Sequence, residues 1–275
     1  MLLARLRLPA AIAAALLIAG AACGRPSVPR PAEDRPPGAA GSARLDEPAH
    51  AAPDAGPAAT SSAPADASLD GPPAPVDGRY QGRPIASTCS YLGADWLDRP
   101  GRDQLQQPER VLDALKLDPH STVADVGAGT GYFTVRLARR VAHVHATDVQ
   151  PEMLKLLGDR LSRAHLTNVE LHLATGREAA LPARCCDLIL LVDVYHELSD
   201  PPAVMAGVRR ALTDHGRLVL VEYRGEDAAV PIKPEHKMTV RQIQHELAQL
   251  GFHFLESLEF LPEQRIVIFD ARSAP

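Results

Sequence analysis

Three groups of residues in this chain have the types and spacing to do chemistry. The first is Asp125-Val126-Gly127-Ala128-Gly129-Thr130-Gly131, an acid followed by glycine at every second position. Glycine belongs where a strand reverses into a helix through φ > 0, and where a Cβ would hold a ligand away from backbone amides. The stretch therefore predicts a nucleotide-cofactor turn contacted through Asp125, Gly127, Ala128, Gly129 and Gly131. The second group is Asp148, 17 residues past Gly131, with Val149 beside it. A carboxylate at a strand tip can accept hydrogen bonds from both ribose hydroxyls. It can equally cap a helix opening at Pro151. The third group is Asp193-Val194-Tyr195-His196-Glu197, in which His196, with an ordinary pKa of about 6.5, is the natural proton acceptor.

These groups need a scaffold, and hydrophobic periodicity supplies one. Apolar runs at Val123–Val126, Val144–Val149, Val169–Ala174, Asp187–Asp193 and Arg217–Glu222 read as strands. Helical spacing appears at Glu109–Leu117, from Tyr132 onward, at Pro151–Ala164 and at Pro202–Leu212. Five strand–helix repeats imply right-handed crossovers and a parallel sheet. Asp187–Asp193 is apolar without alternation, the mark of a central strand covered on both faces. It delivers the Asp193–Glu197 stretch to the carboxyl end of the sheet, where open α/β sheets bind ligands. The tail adds a helix over Met238–Leu250 and strands over Phe252–Phe260 and Arg265–Ala271. The link between those strands is too short for anything but an antiparallel pair. The fold expected is α/β: a doubly wound, mostly parallel seven-stranded sheet with an antiparallel last strand.

Composition divides the 275 residues unevenly. Twelve of the 25 prolines fall between Pro26 and Pro75, amid Ala, Gly, Ser and Asp, a tract that cannot bury a core and reads as an extended, disordered tether over 23–78. Before it, Arg5 and Arg7, an apolar run from Leu8 to Ile18 and the small residues ahead of Cys23 outline a signal peptide over 1–22. The small residues before a lone cysteine are similar to a bacterial lipobox, although Gly20 stands where Leu is usual. Lipidation at Cys23, and with it a membrane anchor, is expected, and simple cleavage after Ala21 or Ala22 is the alternative. Residues 79–104 form a leader in which Tyr91 and Trp96 suit either a lid over the cofactor mouth or an apolar patch on the sheet. A net charge of −5 argues against a nucleic-acid partner, which needs clustered Lys and Arg.

A dinucleotide fingerprint would place its third glycine at position 132, which is Tyr132. With Asp125 two residues before the first glycine, the stretch instead resembles motif I of class I S-adenosylmethionine (SAM) dependent methyltransferases. The resemblance extends from Gln106 to Arg272. It is carried also by Asp193-Val194-Tyr195-His196-Glu197, by Pro231-Ile232-Lys233 and by Lys237-Met238. It implies a domain over 105–275 with SAM as cofactor, and in-line transfer of the sulfonium methyl to a small-molecule acceptor. Asp148 would then grip the ribose, Asp193 would orient the methionine ammonium, and Tyr195 would hydrogen-bond the acceptor while His196 takes its proton. The family usually offers adenine an acid or amide after the third strand. Here Thr175 and Gly176 stand there, and Glu178 or a backbone group is a substitute.

Other assignments were open. An export signal puts the domain outside the cytoplasm, on the periplasmic face of a bacterial membrane, where SAM is not made. A tethered small-ligand binding module that keeps the fold is therefore the alternative. Glu235, His236 and Lys237, in the proline-flanked loop after the fifth strand, read as a solvated loop, with a substrate-facing position as the alternative. No metal is expected: His143, His145 and His172 lie on strands and show no preorganised ligand spacing.

Overall fold

The computed structural model describes residues 73–271. The signal peptide, Cys23 and almost all of the tether lie outside the described residues. The first described stretch is already ordered by pairing: Val76 bridges Arg79, and a small hairpin joins Arg79–Tyr80 to Arg83–Pro84 with Tyr80 buried. The leader continues through a 3-10 turn at Tyr91–Gly93 and short helices at Ala94–Leu97 and Arg102–Gln106.

The main sheet has seven long strands: β1 (Thr122–Val126), β2 (His143–Asp148), β3 (Val169–Leu173), β4 (Cys186–Val192), β5 (Leu212–Arg224), β6 (His253–Leu258) and β7 (Gln264–Asp270). Their spatial order is β3-β2-β1-β4-β5-β7-β6, with a two-residue strand Lys237–Met238 beside β5. The pairs from β3 to β5 are parallel, and β7 runs antiparallel to both β5 and β6. The doubly wound sheet with a reversed last strand is thus as expected. Helices α1 (Pro108–Leu115), α2 (Thr134–Ala138), α3 (Pro151–Arg163), α4 (Pro201–Ala211) and α5 (Val240–Gln249) cover it. Helix α1 stops two residues short of the expected Leu117 because Lys116 takes a left-handed φ of 50°.

Alternation in the strands builds two cores. Val123, Leu188, Leu190, Val219, Val221, Ile266 and Ile268 face α1 and α2. Ala124, Ile189, Leu191, Leu218, Leu220, Val267 and Phe269 face α4 and α5. A smaller cluster joins Ala146 to Leu157 and Leu161 of α3. One expected repeat is missing. The connection from β3 to β4, residues 174–185, contains no helix, and the α4/α5 core includes no residue of β2 or β3.

The glycine turn is held by its own geometry. Gly127, Gly129 and Gly131 have φ of 73°, 54° and 86°. The crowding around them is from protein: a Cβ on Gly127 would lie 2.4 Å from Val194 Cγ2, and one on Gly131 would lie 2.2 Å from Leu157 Cδ1. A side chain at 131 must displace a buried leucine and hold a left-handed backbone. Gly131→Ala is therefore expected to lower the unfolding free energy by about 2–4 kcal/mol in urea titrations, from a left-handed penalty plus overpacking.

Candidate active site

The carboxyl ends of β1, β2, β4 and β5 open into a cavity of about 750 Å³, within the roughly 300–1,000 Å³ typical of small-molecule sites. Nine of the ten residues expected to touch the cofactor line it: Asp125, Gly127, Ala128, Gly129, Asp148, Val149, Thr175, Gly176 and Asp193. Gly131 is the exception, set behind the wall by its packing on Leu157. From the leader, Trp96 and Leu97 join the wall with Arg99 and Arg102. Tyr91 does not; it is 39% exposed and its backbone N–H donates to Gln150 Oε1. The lid expectation thus falls on Trp96 alone of the two aromatics.

The turn amides are spent inside the protein. Gly127 N and Ala128 N both donate to the Thr147 carbonyl, at 2.8 and 2.9 Å. Gly129 N donates to Asp148 Oδ2 at 2.9 Å. The expectation that glycine frees these amides for a ligand is corrected: the glycines are required by φ and by packing. Asp148 also accepts from Gln150 N through Oδ1 at 2.9 Å. It therefore closes the turn before α3 and presents its carboxylate to the cavity at the same time. Burial pushes its pKa up, and the backbone N–H groups partly offset this.

Two hydroxyls give the cavity an unfilled polar demand. Thr130 Oγ1 and Thr147 Oγ1 are buried at its wall without a hydrogen-bond partner among the described residues. Buried polar groups are ordinarily paired, so such atoms at a ligand wall fit a polar ligand. The carboxylates fit a cationic one. Asp125, buried and bonded by Thr134 Oγ1 at 2.6 Å, is pushed up to about 6 by desolvation. Asp193 is raised to about 6 by desolvation and then by the nearby Glu222. Gln106 Nε2 and Gln264 Nε2 donate to its two oxygens at 3.0 and 2.7 Å. A sulfonium and an ammonium would meet negative charge here.

The Tyr195-His196 pair splits at the 3-10 turn Tyr195–Glu197, which sends adjacent side chains in different directions. His196 and Glu197 reach the cavity; Tyr195 does not. The Tyr195 hydroxyl donates to Glu246 Oε2 at 2.9 Å, in a buried knot where Arg83 Nε and Nη2 grip the same carboxylate at 2.8 and 3.1 Å. Tyr195 is thus a structural residue, correcting its expected contact with an acceptor. His196 sits between two partners, Glu222 Oε2 at 2.5 Å from Nδ1 and His236 Nδ1 at 3.1 Å from Nε2. Burial alone disfavours its imidazolium, and the Glu222 carboxylate more than offsets this, so its pKa is raised. Burial raises Glu197 to about 7. His236, read from sequence as a loop residue, completes this wall, with Lys233 near it.

The family pattern described as a methyltransferase domain matches residues 124–220, from β1 through most of β5. A solved SAM-dependent methyltransferase from Aquifex aeolicus superposes with a TM-score of 0.63 at 26% identity, over 66% of this chain and 98% of that one. Residues 124–220 thus match a methyltransferase domain, on the fold of a SAM-dependent methyltransferase. An uncharacterized methyltransferase of Mycobacterium tuberculosis is 36% identical over 132 residues, 48% of this chain and 50% of its own length. A demethylmenaquinone methyltransferase of Tropheryma whipplei is 31% identical over 141 residues, 51% of this chain and 57% of its own. The chain spans about half the length of these curated relatives.

Around the cavity, sequence reasoning missed Glu222, Gln106 and Gln264. Glu222 had a signal: a lone charge ending the buried run Leu218-Val219-Leu220-Val221, and fully buried. The histidine expectation is also corrected. His143, His145 and His172 do assemble, with Glu170, on one face of β2 and β3, and His145 Nδ1 lies 2.9 Å from His172 Nε2. Removing the Tyr195 hydroxyl leaves a buried carboxylate short of a donor, so Tyr195→Phe should cost about 1–3 kcal/mol of stability in thermal or urea unfolding. The same variant should keep its affinity for SAM within about twofold by calorimetry, a change of under ~0.5 kcal/mol.

Proposed function

We propose that the protein transfers the methyl group of SAM to a small-molecule nucleophile inside this cavity. The observation that carries the reading is the meeting, in one cavity, of the Asp148 carboxylate and the buried, unpartnered Thr130 and Thr147 hydroxyls with a His196 side chain backed by Glu222. In this reading Asp148 accepts from the ribose hydroxyls, using lone pairs left after the Gly129 and Gln150 bonds. Val149 lies against the nucleoside, Thr175 and Gly176 border the adenine, and Asp193 meets the methionine ammonium. Asp125, Gly127, Ala128, Gly129 and, through the packing behind it, Gly131 shape the floor.

The cofactor supplies the reactive sulfonium; the protein holds donor and acceptor in line and dry. Transfer breaks the S–CH3 bond, forms the bond to the acceptor and neutralises the sulfur. Where the acceptor is a hydroxyl or amine, its proton goes to His196 Nε2. Glu222 holds Nδ1–H and so leaves Nε2 as the acceptor, in the arrangement of a carboxylate-supported general base. His236, within hydrogen-bond distance of that nitrogen, relays the proton toward the cavity mouth. The acceptor class rests on the size and polarity of the cavity.

We place the domain outside the cytoplasm, as a lipoprotein tethered through residues 24–78 from Cys23. This rests on Arg5, Arg7, the Leu8–Ile18 run and the small residues before Cys23. No helix among the described residues is long and apolar enough to cross a membrane.

Binding and chemistry separate cleanly by mutation. Asp148→Ala should weaken SAM affinity roughly 10- to 100-fold by calorimetry, the loss of one or two hydrogen bonds to a charged group; undiminished affinity would remove the ribose assignment. His196→Ala should leave that affinity intact and lower kcat by about a hundredfold or more.

The pH profile tests the pair. His196 must be neutral to accept a proton, and its pKa is raised, so activity should fall on the acid side of a limb lying above about 6.5. Glu222→Gln removes the charge that favours imidazolium and leaves the burial, so the limb should move to lower pH while kcat drops. A limb that stays put in the variant would show that His196 is not the base.

A further inference from the structure

We infer that His143, His145, Glu170 and His172 bind a divalent transition-metal ion of the zinc class on the uncovered face of β2 and β3. The site lies outside the cavity and does not rest on the methyltransferase reading.

The strand pattern builds the ligand set. His143 and His145 are two apart on β2, and Glu170 and His172 are two apart on β3, so each pair points to one face of the sheet. The parallel register sets Glu170 directly beside His145 and puts His172 beside Thr147, one pleat further along that face. All four side chains therefore share a face. It is the face of Ala124, which pairs with His145 across β1 and packs into the α4/α5 core.

In a doubly wound sheet that face is ordinarily closed by a crossover helix and lined with apolar residues. Here residues 174–185 cross from β3 to β4 without a helix, and three imidazoles and a carboxylate occupy the surface instead.

Their atoms converge. Glu170 Oε2 lies 3.5 Å from His145 Nδ1 and 3.7 Å from His143 Nε2, and Glu170 Oε1 lies 3.7 Å from His172 Nε2. One atom each from His143, His145 and Glu170 falls within 4.8 Å of the others. Bonds of about 2.0–2.2 Å in tetrahedral array separate ligand atoms by roughly 3.3–3.5 Å. Among these pairs the carboxylate closes on the rings by a few tenths of an ångström, and the 2.9 Å His145–His172 contact opens by about half an ångström where His172 joins the three as a fourth ligand. Imidazole nitrogen with a single carboxylate suits Zn2+, and Ni2+ or Cu2+ after it, and discriminates against Mg2+ and Ca2+. Burial is graded as a metal site requires. His145 is buried at 6% exposure, while the side chains of His143 and Glu170 are 37% and 57% exposed and leave the ion a path in. A bound ion would cross-link β2 to the edge strand β3 where no helix packs.

The test is a calorimetric titration of the untagged full-length protein with ZnCl2, with MgCl2 as control. One saturable Zn2+ site is expected, together with a rise in Tm that grows with Zn2+ concentration and no response to Mg2+. Glu170→Gln, at an exposed position that should not disturb folding, should weaken that affinity at least about tenfold, and His143→Gln combined with it about a hundredfold or more. SAM affinity should stay unchanged in both. Absence of saturable binding would overturn the proposal. So would binding unaffected by the double variant, or binding lost instead in His236→Gln, which would move the ion to the cavity wall.

Discussion

The cavity is organised by a constraint: four carboxylates, the buried Asp125, Asp148 and Glu222 and the half-buried Asp193, stand at the carboxyl ends of four neighbouring parallel strands. Taking a carboxylate out of water is costly unless donors or positive charge meet it. Each is met differently. Asp148 has two backbone amides, Asp125 a threonine hydroxyl, Asp193 two glutamine amides, and Glu222 an imidazole and the Tyr195 backbone N–H. Burial leaves Asp125 and Asp193 raised to about 6 in spite of their neutral donors and of Arg102 nearby, so the cavity holds acids that a cationic ligand would meet favourably. That is the electrostatic counterpart of a sulfonium nucleoside with a free ammonium. The glycine spacing, with Tyr132 where a dinucleotide fingerprint has its third glycine, speaks against a dinucleotide.

The leader belongs to this arrangement. Arg83 reaches across to Glu246 on α5 and to the His196 carbonyl, and Ala86 N donates to the same carbonyl. Arg102 lies over the Tyr132 ring and bonds Gln106, whose amide in turn holds Asp193. A boundary between leader and domain at residue 104 thus cuts through the polar network that positions Asp193. Composition suggests a boundary there because the segment is polar and short of apolar runs. Its contribution is made through guanidinium and amide groups, which hydrophobic periodicity does not register.

How much could be read in the sequence follows from contact range. The strand–turn–helix at Val123–Phe133 and the acid at Asp148 are local patterns, and the parallel pairing of the first five strands follows from strand–helix alternation. What escaped depends on distant pairings or on the direction of a single side chain. Glu222 and His196 are 26 residues apart and Gln264 and Asp193 are 71, and nothing in either local sequence announces the partner. Tyr195 and His196 are adjacent and equally suited to chemistry. Only the 3-10 turn, which breaks the strand's period of two, decides that the histidine enters the cavity and the tyrosine the interior. Gly131 taught the converse lesson: the motif was recognised, and the reason for its last glycine was a leucine on α3.

The missing helix between β3 and β4 ties the two ends of β2 together. A doubly wound sheet without that layer lets polar side chains take the face of β2 and β3 that a crossover helix would otherwise line with apolar residues. Period-two alternation then places small apolar residues toward α3, such as Ala146, and polar ones toward the open face, such as His145 and Glu170. The same alternation puts Thr147 on the open-face side, and at the strand's end its hydroxyl is buried at the cavity wall. A single strand thus carries histidines at its start and the cavity-lining Asp148 at its tip. The loss of a helix explains why it does so without a continuous apolar run: β4, covered on both faces, has one, and β2 does not.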